Sequence, residues 1–252
     1  MRERSRHVEI PPGGLRIHYS TAGVEESDRL PVVLVHGIGV SGRYLLPTAR
    51  ALAPYFIVHV PDLPGFGRSE KPRRGLGVPE LADSLLAFLD ALGIGRACLL
   101  GNSMGCQVLV EVALREPARV GRLVLTGPTD DPSARSVLRH IPRFFRDGLR
   151  EPPGMLAILA YDYAVFGPRR FMAAARSALA DPIEDKLPRV EAPTLVVRGS
   201  RDGIVSQRWA ETAARLLPRG ELVVLEGAPH AVTYAAPEAL ARVVVPFFVE
   251  AA

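Results

Sequence analysis

Residues 97–114 read ACLLGNSMGCQVLVEVAL. An apolar run of strand length stops at Gly101, a lone hydroxyl stands at Ser103, and Gly105 precedes a pattern with helical spacing. A buried strand that turns at once into a helix forces the residue at the turn into a strained backbone conformation. Neighbouring side chains would collide there, so the flanking positions are glycine. The turn lifts Ser103 Oγ off the sheet and aims the free N–H groups of the helix's first turn at the same spot. GNSMG therefore fits G-x-S-x-G, the signature of a nucleophilic serine on a strand–turn–helix. The plain alternative is a Gly-rich strand–helix turn with no chemistry; the buried strand before the motif and the helix after it favour the nucleophile.

Working outward, the same alternation recurs. HVEIPPGGLRIHYSTAG reads as two strands around a Pro-Pro-Gly-Gly turn. PVVLVHG, FIVHVPDLPG, RVGRLVLTGP, APTLVVRGSRD and ELVVLEGAPH read as further strands, the short β-branched runs expected where a strand is buried on both faces. Between them GRYLLPTARALA, VPELADSLLAFLDALG and the stretches 104–116, 207–217 and 237–249 carry helical spacing. Such alternation predicts an α/β fold, a mostly parallel sheet with helices on both faces. It lapses over 127–186, where prolines and the aromatics Phe144, Phe145, Tyr161, Tyr163, Phe166 and Phe171 mark inserted helices and loops. The predicted division is a core of 1–126 with 187–252 and an insertion of 127–186.

The chain has 252 residues, 48% hydrophobic and 23% charged, with a formal net charge of +4, a size and mix that suit one α/β domain with an insertion. The arginines are interleaved with acidic residues instead of forming the stripe of a nucleic-acid surface. No apolar run reaches the ~18 residues of a membrane span. MRERSRHVEI lacks the apolar core of a secretory signal. Cys98 falls in a strand and Cys106 in the following helix, a placement that does not suit a disulfide. These features point to reduced thiols and a cytoplasmic setting. They predict neither a nucleic-acid partner nor a membrane, and they leave a homo-oligomer open through the apolar residues of 127–186.

A serine hydroxyl needs a general base, and the base needs an orienting carboxylate. In sheets carrying such an elbow, the acid and then the histidine follow the serine along the chain. Of the six histidines, His230 alone follows the last predicted strand, where a short loop carries it over the carboxyl ends of the strands. Asp202, after TLVVRG, lies at the same end and is the first choice of acid; Asp130 and Asp131, after RLVLTG, are the rivals. The predicted oxyanion donors are the backbone N–H groups of Met104, next to the nucleophile, and Ile38, in the HGIG loop. His36 is expected to brace that loop, Asp62 to be structural, and Trp209 to pack.

In this order HGIG, DLPGFGRSEKP, GNSMG, GSRDGIV and GAPHAV resemble the α/β-hydrolase fold family over nearly the whole chain. The resemblance implies an eight-stranded, mostly parallel sheet, a mobile helical cap over the site and no cofactor; the residues read above, Ser103, Asp202 and His230, make a Ser-His-Asp triad. Relatives of this fold that act on halides and epoxides use an aspartate nucleophile; Ser103 implies acyl transfer instead. GNSMG is similar to the elbow of the meta-cleavage-product hydrolases, which split carbon–carbon bonds. Those enzymes usually place tryptophan after the histidine, where this chain has Ala231, and an asparagine in the oxyanion loop, which HGIGVSGRYL lacks. Cap arginines such as Arg139, Arg143 or Arg146 offer a dienoate carboxylate a partner, or are simply solvated.

The leading expectation is cleavage of an ester, thioester or lactone of a small apolar substrate. Phe144, Phe145, Tyr161, Tyr163 and Phe166 line the pocket in this reading, or form the cap's own core. Carbon–carbon hydrolysis, ester-dependent peracid formation and non-catalytic ligand binding are the alternatives.

Overall fold

Val32, Val33, Leu34 and Val35 are all fully buried, and their neighbours explain why an unbroken apolar run is needed. Successive side chains of a strand point to opposite faces. Val33 and Val35 join one core with Leu81, Leu85 and Leu109. Val32 and Leu34 join a second core with Leu45, Leu52 and Val244. The sheet is therefore sandwiched between two helical layers, as the alternation predicts.

The computed structural model describes residues 3–11, 13–23, 28–129 and 150–250. Its strands are β1 (Arg4–Ile10), β2 (Leu15–Ala22), β3 (Val32–Val35), β4 (Val58–Pro61), β5 (Ala97–Asn102), β6 (Val120–Thr126), β7 (Thr194–Gly199) and β8 (Gly220–Leu225). They form one eight-stranded sheet in the order β1-β2-β4-β3-β5-β6-β7-β8. β1 and β2 pair antiparallel, β2 meets β4 antiparallel, and all later pairings are parallel. This is the mostly parallel eight-stranded α/β sheet expected from the sequence.

The helices are α1 (Leu46–Leu52), α2 (Val78–Ala91), α3 (Met104–Arg115), α4 (Pro153–Phe166), α5 (Pro168–Leu179), α6 (Ile183–Lys186), α7 (Gln207–Leu216), α8 (Val232–Ala235) and α9 (Pro237–Val249). The sequence 42–53 reads as one helix but divides into a 3-10 turn, Gly42–Leu45, and α1. Pro47 sits in the first turn of α1, where its missing N–H costs nothing. α8, a single turn after His230, was too short to leave a periodic signal. α4, α5 and α6 lie between β6 and β7, within the predicted insertion.

Strand order decides where a site can form. β4 lies on one side of β3 and β5 on the other, so the connections leave β3 in opposite directions. That reversal opens a crevice at the carboxyl ends of β3 and β5. The register brings Val35 level with Gly101, Asn102 with Thr126, and Gly199 with Leu225. The loops carrying His36, Ser103, Gly127, Asp202 and His230 thus leave the sheet along one rim.

Candidate active site

Ser103 has φ 58° and ψ −127°, the one non-glycine residue with positive φ among the described residues. Such a conformation costs about 1–3 kcal/mol and persists only where its surroundings over-determine it. They do so here. The Ser103 N–H donates to the Thr126 carbonyl at 3.0 Å, and its carbonyl accepts from the Cys106 N–H at 2.9 Å. A Cβ on Gly101 would lie 2.8 Å from the Gly105 backbone, and one on Gly105 would overlap the Val35 carbonyl oxygen. Both glycines are needed for α3 to start this close to β3 and β5.

A chain of hydrogen bonds ties the elbow to the loop after β3. The Gly37 N–H donates to the Tyr44 hydroxyl at 2.9 Å, and Tyr44 donates to Asn102 Oδ1 at 2.8 Å. Asn102 Nδ2 donates to the Thr126 carbonyl at 3.0 Å. Burial pushes the Tyr44 phenol well up, so it stays protonated and can donate. Sequence reasoning missed Tyr44 and Asn102: one was absorbed into a helical pattern, the other into a variable motif position. With the Gly37 amide engaged by Tyr44, the next amide of the loop is that of Ile38, which lines the same cavity as Ser103. Met104 opens α3, so its amide precedes the intrahelical ladder.

Asp202 and His230, expected as partners from their loops, meet. His230 Nδ1 lies 2.9 Å from Asp202 Oδ2. Asp202 Oδ1 accepts the N–H groups of Ile204 and Val205, each at 2.8 Å. Burial drives the carboxyl pKa up, but the His230 contact and the two amides outweigh it and hold it below the usual range. An ionised carboxylate only accepts, so Nδ1 carries the imidazole proton and Nε2 the lone pair. The Arg198 guanidinium holds the carbonyls of Val205 at 2.8 Å and Asp202 at 3.1 Å, fixing the loop that presents the acid. Asp130 and Asp131, the rival acids, lie outside the described residues.

His36 Nε2 accepts the Leu63 N–H at 3.0 Å, so its Nδ1 is the protonated nitrogen, facing the Gly37 carbonyl at 2.9 Å. Burial lowers its pKa and keeps it neutral. It joins the loops after β3 and β4, the bracing expected of it. Asp62 accepts from His18 Nδ1 at 2.9 Å, Gly42 N–H at 2.7 Å and Arg68 N–H at 2.9 Å. Cys98 and Cys106 are free and buried, and burial pushes the Cys98 thiol up to about 11.

Ser103 and His230 line one cavity of about 270 Å³. Met155, Leu159, Tyr163 and Phe171 from α4 and α5 line it as well. Of the aromatics expected at the pocket, Tyr163 is there. Tyr161 and Phe166 are not: Tyr161 is 57% exposed, with the Arg43 guanidinium over its ring, and Phe166 stacks on Phe66 at 4.5 Å. Tyr161 and Tyr163 are two residues apart on a helix, which sends them to opposite faces. Phe144, Phe145, Arg139, Arg143 and Arg146 lie outside the described residues. Glu151 was not foreseen. Its buried carboxylate lines the cavity and its Oε1 accepts the Ala231 N–H, beside His230, at 2.8 Å.

Residues 32–243 match the model of the alpha/beta hydrolase family. The chain belongs to that family. RutD of Rhizobium rhizogenes strain K84, named as a candidate carbamate hydrolase, is similar at 27% identity over 246 residues, covering 88% of this chain and 94% of its own. A 2-hydroxy-6-oxononadienedioate/2-hydroxy-6-oxononatrienedioate hydrolase of Burkholderia vietnamiensis strain G4 is 29% identical, covering 96% and 95%. A thermophilic esterase from Thermogutta terrifontis superposes with a TM-score of 0.80 at 26% identity, over 98% of this chain and 99% of its own. Among the described residues no helix is long and apolar enough to cross a membrane.

Proposed function

We propose that the protein is a serine hydrolase that cleaves an ester-type bond (carboxylic ester, thioester or lactone) of a small, largely apolar substrate. The observation that carries the reading is the oriented His230–Asp202 pair sharing a cavity with the strained Ser103. His230 Nε2 takes the Ser103 proton as Oγ attacks the acyl carbon, and the resulting imidazolium is stabilised by Asp202. The Met104 and Ile38 amides hold the oxyanion. His230 then protonates the leaving alcohol or thiol, which departs as the acyl-enzyme forms. Water, deprotonated by His230, attacks the acyl-enzyme, and the acid leaves as Ser103 regains its proton. The insertion 127–186 acts as the cap: Met155, Leu159, Tyr163 and Phe171 supply an apolar wall for the acyl or alkyl group.

A cavity of about 270 Å³ is small for a ligand site, so short acyl chains fit best. The test is initial rates on p-nitrophenyl esters of increasing acyl length, wild type against Ser103→Ala. We expect an optimum at short chains and a loss of about 10⁴-fold or more in kcat in the variant. An unchanged rate in Ser103→Ala would overturn the assignment. The second reading, carbon–carbon bond hydrolysis, draws on the name of the Burkholderia relative. It gains ground if no ester is turned over and a vinylogous diketone is.

A further inference from the structure

A second cavity, of about 190 Å³, opens between the β1–β2 hairpin, the loop after β4 and the outer side of α4. Among the described residues it shares no lining residue with the Ser103 cavity. In its wall Ser5 Oγ lies 2.7 Å from His18 Nε2, and His18 Nδ1 lies 2.9 Å from Asp62 Oδ2. Burial pushes the Asp62 carboxyl up, but His18 and the amides of Arg68 and Gly42 hold it below the usual carboxylate range. The carboxylate accepts, so His18 Nδ1 carries the proton and Nε2 is left to receive the Ser5 hydroxyl hydrogen. The polarity is that of a serine, its base and an orienting acid, which is recognised by geometry and not by position in the chain.

The array is built. His18 is buried, and its backbone N–H donates to Ser69 Oγ at 2.8 Å. Gly67 has φ 50°, and a Cβ there would overlap the Asp62 carboxylate. Ser5 lies on the exposed edge strand, open to solvent. Arg43, Arg68 and Lys71 line the same cavity. Among the described residues its other carboxylates are engaged, Glu3 with Arg50 at 2.9 Å and Asp162 with the Ser41 amide and hydroxyl at 2.8 and 2.7 Å. The cations therefore favour a donor that carries negative charge.

We propose that Ser5 is a second activated serine, which takes an acyl group from small anionic acyl donors of the acyl-phosphate class. The Ser5 Oγ–acyl bond forms as the acyl–O(phosphate) bond breaks. The Ser5 proton passes to His18 Nε2 and then to the departing phosphate.

The test is peptide mass spectrometry of the Ser103→Ala protein after incubation with acetyl phosphate. Acetyl is expected on Ser5, well above Ser84 and Ser177 in the same digest. His18→Gln in the same background should slow Ser5 acetylation about 10²-fold or more. Lys71→Ala or Arg68→Ala should slow it with acetyl phosphate but not with neutral p-nitrophenyl acetate. Ser5 no more acetylated than Ser84 overturns the proposal, whichever variants fold. So does equal acetylation of Ser5 with and without His18. Ester turnover at Ser103 is read as the part of wild-type nitrophenol release that Ser103→Ala loses, and Ser5 acylation by mass in that variant, so either reading can fail without the other.

Discussion

Gly127, the residue after β6, has φ 54°, and a Cβ there would lie 2.9 Å from two atoms of the His230 ring and 3.3 Å from Asp202 Oδ2. Alanine would be strained by its backbone and would push the imidazole off its acid. A displacement of this size costs an enzyme on the order of 10²-fold. Gly127→Ala should lower kcat on short p-nitrophenyl esters by about that factor with the fold retained by circular dichroism; undiminished kcat would mean that the ring is not held by this packing. Glu151 acts at the same scale. Its bond to the Ala231 amide fixes the residue after His230, so Glu151→Ala should lose activity and Glu151→Gln, which keeps an acceptor, should recover most of it. Equal rates in the two variants would remove the positioning role.

At the scale of elements, α7 is tied down at two points. Its N-cap, Ser206, accepts the Trp209 N–H at 3.1 Å. The Trp209 indole is buried and donates Nε1–H to the Pro128 carbonyl at 2.9 Å, joining the helix to the segment that leaves β6. Packing was legible from Trp209 in an amphipathic helix; the hydrogen bond was not, because its acceptor lies 81 residues away. Trp209→Phe keeps much of the burial and strands a carbonyl, so it should cost about 1–3 kcal/mol in urea denaturation. A change below a few tenths would show that the bond contributes nothing net.

At the scale of the whole molecule, buried titratable groups set the response to acid. Burial, followed by the charge of Arg6, lowers the pKa of His59 to about 4, and burial also lowers that of His36. An unfolded histidine takes up its proton near pH ~6.5. Between there and about 4 the unfolded chain binds more protons than the folded one, so stability falls as pH falls. For His59 the loss is up to about 3 kcal/mol. Asp62 and Asp202 act lower down: their depressed pKa values give stability that is full above the ordinary carboxylate range and lost as pH drops through the folded values. Denaturant midpoints should therefore decline from pH 7 to pH 4.5, and His59→Gln should flatten that decline. A flat wild-type profile across this window would contradict the assignment.

The sequence by itself determined what periodicity and chain order encode. Unbroken apolar runs gave the sheet, because a strand covered on both faces has no polar position to spare. Paired glycines marked the elbow, because no side chain fits between α3 and β3. Asp202 and His230 were legible because each directly follows a recognisable strand. Only the tertiary structure decided the walls of the cavity. α4 is apolar on nearly every side, so its sequence has no phase to tell that Tyr163 faces inward and Tyr161 outward. Glu151 and the Ser5–His18–Asp62 line depend on contacts across 80, 13 and 44 residues. Periodicity does not carry such pairings: strand register sets Ser5 beside His18 across the β1–β2 hairpin, and Asp62 and Glu151 arrive only when the sheet brings distant segments together.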